Sequence, residues 1–149
     1  MANFKSSATA LWNGDLTGGS GTVEFGTGAL PSTQLTWASR TESSDGKTSP
    51  EELVAAAHAS CYAMAFSHLL ATSGHQPDHM HVSATVAFGP KDGGGGFEVK
   101  SSALTVQGKV AGLDQTQFEK LAAEGEQACP ISNALRGNID ITVNATLES

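Results

Sequence analysis

From Leu53 to Pro77 the chain contains no Asp, Glu, Lys or Arg. The stretch follows a helix-start signature in which Ser49 is the N-cap, Pro50 takes the first helical position and Glu52 completes a capping box. These signals predict one helix from about Pro50 to about Thr72, ending near Gly74. A helix with no charge on any face must be covered, by protein or by lipid. Alanine supplies most of its bulk, and His58, Ser60, Ser67, His68, Thr72, Ser73 and His75 interrupt it, so its transfer into a bilayer would be weak. The expectation is a buried core helix and no membrane association. One small sheet cannot cover all of its faces, which points to a second copy of the chain.

Around this helix the pattern is mixed, and the expected class is α+β in one domain of 149 residues, without repeats or a linker. Ser6–Trp12 and Gly21–Glu24 flank glycine turns and predict a hairpin or meander, and Gln34–Ser39 is a further β-rich run that ends at Arg40. After the helix, His81–Phe88 and Glu98–Val106 read as strands joined by a glycine loop. Asp114–Ala128 has Leu113, Phe118, Leu121 and Ala122 on one side and Glu119, Lys120 and Glu124 on the other, as an amphipathic helix would. A short helix opens at Pro130. Ile139–Leu147 alternates with period two and reads as a half-exposed antiparallel strand.

Eight basic and fifteen acidic residues give a formal net charge of -7, and no Lys/Arg cluster interleaves with aromatics, so nucleic acid is not an expected partner. The N-terminal residues carry no apolar secretory core, and the expected compartment is the cytoplasm. There the two cysteines stay free or pair transiently. The glycines at 93–96 lack the Lys-Ser/Thr ending of a phosphate loop and suit a hairpin tip. His75, His79 and His81 have no accompanying acid or cysteine cluster, so no metal site is expected. Asn144-Ala145-Thr146 matches a glycosylation acceptor but falls inside a predicted strand.

The two thiols stand in contrasting settings. Cys61 is about three turns inside the uncharged helix, whereas Cys129 directly precedes Pro130 at a helix start. A buried thiol beside a cation, with a second thiol able to trap its oxidised form, is the minimum equipment for reducing peroxides. An unperturbed thiol has a pKa near 8.5, so only a few per cent is thiolate at pH 7. The dipole of its own helix fades beyond the first turn and cannot help Cys61. A unit charge at ~4 Å in an effective dielectric of ~20 is worth about 4 kcal/mol, roughly three pKa units before the cost of burial. The chain has two arginines, Arg40 and Arg136, and position favours Arg40, just before the loop into the Cys61 helix. Glu51 is a natural carboxylate to hold a guanidinium in a bidentate fork.

The segment Ser49-Pro50-Glu51-Glu52-Leu53-Val54-Ala55-Ala56-Ala57-His58-Ala59-Ser60-Cys61, followed by Ala128-Cys129-Pro130-Ile131-Ser132, resembles the OsmC/Ohr family of thiol-dependent hydroperoxide reductases. The opening Ala10-Leu11-Trp12-Asn13-Gly14-Asp15-Leu16 is similar to the osmotically inducible branch. The organic hydroperoxide resistance branch carries its arginine in an N-terminal glycine turn. Gly18-Gly19-Ser20-Gly21 has none, so that role falls to Arg40.

The resemblance implies that Cys61 is the peroxidatic thiolate, that Cys129 resolves its sulfenic acid as a disulfide, and that Arg40 with Glu51 activates Cys61 and orients the peroxide. It implies an external dithiol reductant of lipoyl type and no metal, haem or flavin. The implied fold is OsmC-like, with antiparallel sheets wrapped around long central helices in an intertwined homodimer. Glu51 and Cys61 are about 15 Å apart along one helix, so a shared site needs the two-fold symmetry of a dimer. The sequence leaves open whether hydrogen peroxide or an organic hydroperoxide is preferred, although Met64 favours the latter. Two other readings are a structural Cys61–Cys129 staple and a small-molecule-binding protein without turnover.

Overall fold

Short polar side chains organise the N-terminal part. In the computed structural model, which describes residues 3–149, strands β1 (Ala8–Asn13) and β2 (Ser20–Phe25) pair antiparallel. Their connection is held by Asp15, whose carboxylate accepts the Gly18 N–H at 2.6 Å and whose carbonyl accepts the Gly19 N–H at 3.0 Å. Strand β3 (Thr33–Leu35) completes a sheet of order β1-β2-β3. The predicted β-rich run then turns helical: α1 spans Trp37–Thr41. Arg40 therefore lies in the last turn of a helix and does not end a strand. The cause is a capping box in which Thr36 Oγ1 accepts the Ser39 N–H at 3.0 Å and Ser39 Oγ accepts the Thr36 N–H at 2.9 Å. These local bonds override the β propensity of the segment. This part forms one compact unit ending at Pro50, and Glu51–Ser149 form a second.

The long helix α2 (Pro50–Thr72) starts at the expected proline. His58, Tyr62, Phe66 and Leu70 are all fully buried, and their spacing of four places them on one stripe. Among the described residues α2 is the one helix long and apolar enough, by length and composition, to cross a membrane. Its stripe, however, packs on protein. Tyr62 and Phe66 rings lie 5.6 Å apart, and Phe66 meets Phe118 at 5.3 Å.

Strands β4 (Pro77–Pro90) and β5 (Phe97–Val110) form a long antiparallel hairpin in which Val82 faces Val106 and Ala84 faces Leu104. Gly93, Gly94, Gly95 and Gly96, all at positive φ, make its tip. On β5 the inward positions are Ser102, Leu104, Val106, Gly108 and Val110, with Ser102 the one polar side chain among them. Helices α3 (Gln115–Ala128) and α4 (Pro130–Leu135) lead to β6 (Asp140–Leu147).

Strand β6 runs parallel to β5, with Ser102 opposite Ile141 and Val106 opposite Ala145, in a sheet of order β4-β5-β6. The antiparallel expectation fails here because α3 and α4 carry the chain back before β6 enters, and such a crossover joins parallel neighbours. The second sheet is thus mixed. Leu104, Val106 and Val110 of β5, Phe118 and Ala122 of α3 and the α2 stripe share one core with Cys129. Gly125 keeps α3 close to α2, since a Cβ there would stand 3.0 Å from Phe66 Cδ2.

Candidate active site

Pro130 disfavours helical geometry at the residue before it, and Cys129 is extended at φ -75, ψ 118. It ends α3 and caps α4 at once. Its sulfur accepts the Ser132 N–H at 3.5 Å. This geometry turns the Cys129 sulfur toward α2, where Cys61 lies within hydrogen-bonding reach of it. The Ile131 N–H donates to the Cys61 sulfur. Both sulfurs therefore meet backbone donors from the first turn of α4. Both thiols are free, Cys129 fully buried and Cys61 half-buried.

Burial pushes the Cys61 thiol above its ordinary range, the Ile131 N–H pulls it down, and the neighbouring Cys129 raises it again. The net direction is upward, so these groups leave Cys61 mainly protonated near neutral pH. Sequence reasoning excluded the dipole of α2 but missed the donor from α4. The Pro at the first position of α4 was a signal that free N–H groups follow it.

Around this pair stand polar groups that the sequence reading passed over. His58, one turn before Cys61, is fully buried, with Nδ1 2.7 Å from Ser102 Oγ and Nε2 2.7 Å from Ser132 Oγ. Burial holds its pKa below the usual range, against an upward pull from Glu126. The Tyr62 hydroxyl donates to the Ala122 carbonyl at 3.0 Å and is pushed well above its usual range by burial and then by Glu126 and Cys129.

Glu126 accepts from Arg136 at 2.8 Å, and Arg136 also reaches Asn133 Oδ1 at 3.3 Å. This ion pair spans the turn that contains Cys129. Glu126 could have been suspected from its place four residues after Ala122, on the buried side of α3. Ser102 had the inward parity of β5, and Ser132 the third position of α4.

Of the two arginines, Arg136 is thus engaged by Glu126. Arg40 belongs to the other compact unit, where its guanidinium stacks 5.8 Å from the Trp37 ring. With Trp12, Leu16, Leu35, Trp37 and Pro50 it lines an apolar pocket of about 300 Å³. Glu51 is buried in the first turn of α2, ten residues and about 15 Å from Cys61 along an unbroken helix. The structure brings Cys61 and Cys129 together and separates Glu51 from them within one chain.

His79 pairs with Glu148 at 3.0 Å and lies edge-on to His81 at 5.7 Å. Among the described residues no group of three or more His, Cys, Asp or Glu is placed to hold a metal.

Two adjacent free thiols, one of them also met by a backbone donor from α4, thus lie together on an α+β scaffold. A family model described as OsmC-like protein matches residues 43–144, and the chain belongs to that family. It is 34% identical over 140 residues, 94% of each chain, to the peroxiredoxin OsmC of Escherichia coli strain K12. It is 34% identical over 97 residues to an organic hydroperoxide resistance protein of Xanthomonas axonopodis pv. citri strain 306, covering 64% of this chain and 65% of that one. The crystal structure of an organic hydroperoxide resistance protein OsmC from Legionella pneumophila superposes with a TM-score of 0.78 at 28% identity, over 98% of this chain and 99% of that one.

Proposed function

We propose that this protein is a peroxidase that reduces hydroperoxides with Cys61 as the attacking thiolate and Cys129 as the resolving thiol. The Cys61 thiolate attacks the terminal oxygen of ROOH, the O–O bond breaks, and the RO⁻ released takes up a proton from water and leaves as ROH. Cys61 becomes a sulfenic acid. The Cys129 thiol then displaces its oxygen as water and forms the Cys61–Cys129 disulfide. An external dithiol of lipoyl type reduces that bond and becomes a disulfide itself. The observation that carries this reading is the direct approach of two free thiols, one from α2 and one from the junction of α3 and α4. No metal, haem or flavin enters the scheme.

Arg40, steadied by Glu51, supplies the cation that Cys61 needs. The upward shift of the Cys61 thiol makes an outside positive charge necessary rather than optional. The protein acts as an intertwined homodimer of single-domain chains in which Glu51 of one protomer stands beside Cys61 of its partner. Support for a second copy comes from α2, of whose most apolar window only 22% is buried within the chain, with Met64 69% exposed. The apolar pocket beside Arg40 favours organic hydroperoxides over hydrogen peroxide as substrates. The compartment is the cytoplasm, where dithiol reductants are plentiful.

Thiol titration tests the scheme. Reduced protein should present two thiols that disappear together with one equivalent of an alkyl hydroperoxide. A Cys61→Ser variant that still consumes peroxide at the full rate would refute it, and light scattering that finds monomers in dilute solution would refute the dimer.

A further inference from the structure

We infer that His58 is a positioning residue for the resolving step: its link through Ser132 keeps the Cys129 sulfur poised opposite Cys61. The inference rests on the reading of Cys61 and Cys129 as a reacting pair. Ser132 does two things at once. Its backbone N–H caps the Cys129 sulfur at 3.5 Å, and its hydroxyl lies 2.7 Å from His58 Nε2. The other ring nitrogen is fixed 2.7 Å from Ser102 Oγ on β5. A continuous chain therefore runs from the sheet, through α2, to the first turn of α4.

His58 and Cys61 are three residues apart and share one face of α2, so the anchor and the sulfur to be attacked move as one body. α4 has only six residues; besides the link to His58 it is held by Ile131 against the core and by the Arg136–Glu126 pair at its end, and Ser132 is its one fully buried residue. Pro130 is exposed and Ile131 half-buried, whereas Ser132 is fully buried.

A core position would be filled more simply by an apolar side chain, because a buried imidazole gains little net stability even when both nitrogens are satisfied. What this arrangement adds is direction. A neutral ring donates from one nitrogen and accepts at the other, so it fixes both serine hydroxyls in orientation as well as distance. Burial keeps the ring in that neutral form. Closing the disulfide needs the Cys129 sulfur in line with the S–O bond of the Cys61 sulfenic acid, and a sulfur displaced by ~1 Å loses much of the advantage of proximity.

The test separates the two half-reactions in His58→Leu, with His58→Asn as the conservative rescue. Sulfenic acid formation, followed by trapping with dimedone, should stay within about three-fold of the parent. Disulfide closure should slow at least ten-fold, so that trapped sulfenic acid accumulates, and His58→Asn should recover part of the rate. Equal closure rates in parent and His58→Leu would overturn the inference.

Should His58→Leu fail to fold, Ser132→Ala removes the same link from the other end and should show the same split. Its closure at the parent rate would overturn the inference equally. A titration of the Cys61–Cys129 pair against dithiothreitol, without peroxide, keeps the two claims apart. There the parent should form its disulfide at least ten-fold more favourably than His58→Leu, and equality would overturn the role of His58. Absence of sulfenic acid after peroxide in Cys129→Ser, where no resolving thiol can consume it, with that ten-fold difference intact, would refute the peroxidase reading alone and support the positioning role.

Discussion

Replacing Arg136 by alanine removes the cation that faces Glu126 and leaves the carboxylate in place. The side chain of Glu126 is 8% exposed and that of Arg136 39%, so water reaches one partner far more easily than the other. A pair at ~4 Å in an effective dielectric of ~20 attracts by about 4 kcal/mol before desolvation is subtracted. Breaking a fully buried pair by removing one partner costs about 3–5 kcal/mol, whereas exposed pairs are worth about 0–1. With one buried and one half-exposed partner, Arg136→Ala should cost about 2 kcal/mol. For a domain of this size that is a fall of about 4–8 °C in melting temperature.

Glu126→Gln removes the charge but keeps much of the shape, and should cost about 1 kcal/mol. The double variant should be more stable than Arg136→Ala alone by about 1 kcal/mol, because the stranded carboxylate is gone. Thermal melts followed by circular dichroism, at one fixed protein concentration, measure all three. Equal costs for the two single variants, or a double variant no better than Arg136→Ala, would show that burial of Glu126 is not what makes the pair matter.

Because Cys61 is held above its usual range by burial, sulfenic acid formation should rise with pH as the thiolate fraction grows, and Arg40→Ala should move that rise upward and slow the step about 100-fold at pH 7, with Arg40→Lys less affected. Stopped-flow kinetics against pH decide it, and a flat profile would refute the thiolate requirement. His58 has a folded-state pKa below its unfolded value of about 6.5. Its contribution to stability is therefore complete above that value and is lost as pH falls through the window beneath it, since the unfolded chain takes up the proton first. Urea midpoints between pH 7 and 5 should fall more steeply for the parent than for His58→Leu. Gly125→Ala should destabilise by about 1–3 kcal/mol through overpacking against Phe66, although alanine is the better helix former; a stabilised variant would contradict the close approach of α3 and α2.

The thiol pair was visible in the order of residues, because each cysteine carries its own local signal. Cys61 lies in the one long run without charge, and Cys129 is marked by the proline that follows it. The polar groups around them were not visible in the same way. His58 meets Ser102 and Ser132 across large gaps in the chain, and nothing local distinguishes those serines from any others. The short helix that holds Arg40 was missed for a different reason. Trp37 and its neighbours have β propensity, and two reciprocal hydrogen bonds of Thr36 and Ser39 outweigh it.

By itself the sequence determined where α2 begins and where α3 gives way to α4. Caps and proline act over a few residues and need no partner. Only the tertiary structure decided that β6 runs parallel to β5, that the start of α4 supplies a donor to Cys61, and that Glu126 claims Arg136. Those outcomes depend on which distant segments share a core, and hydrogen-bond geometry and desolvation set that choice after the chain has closed on itself.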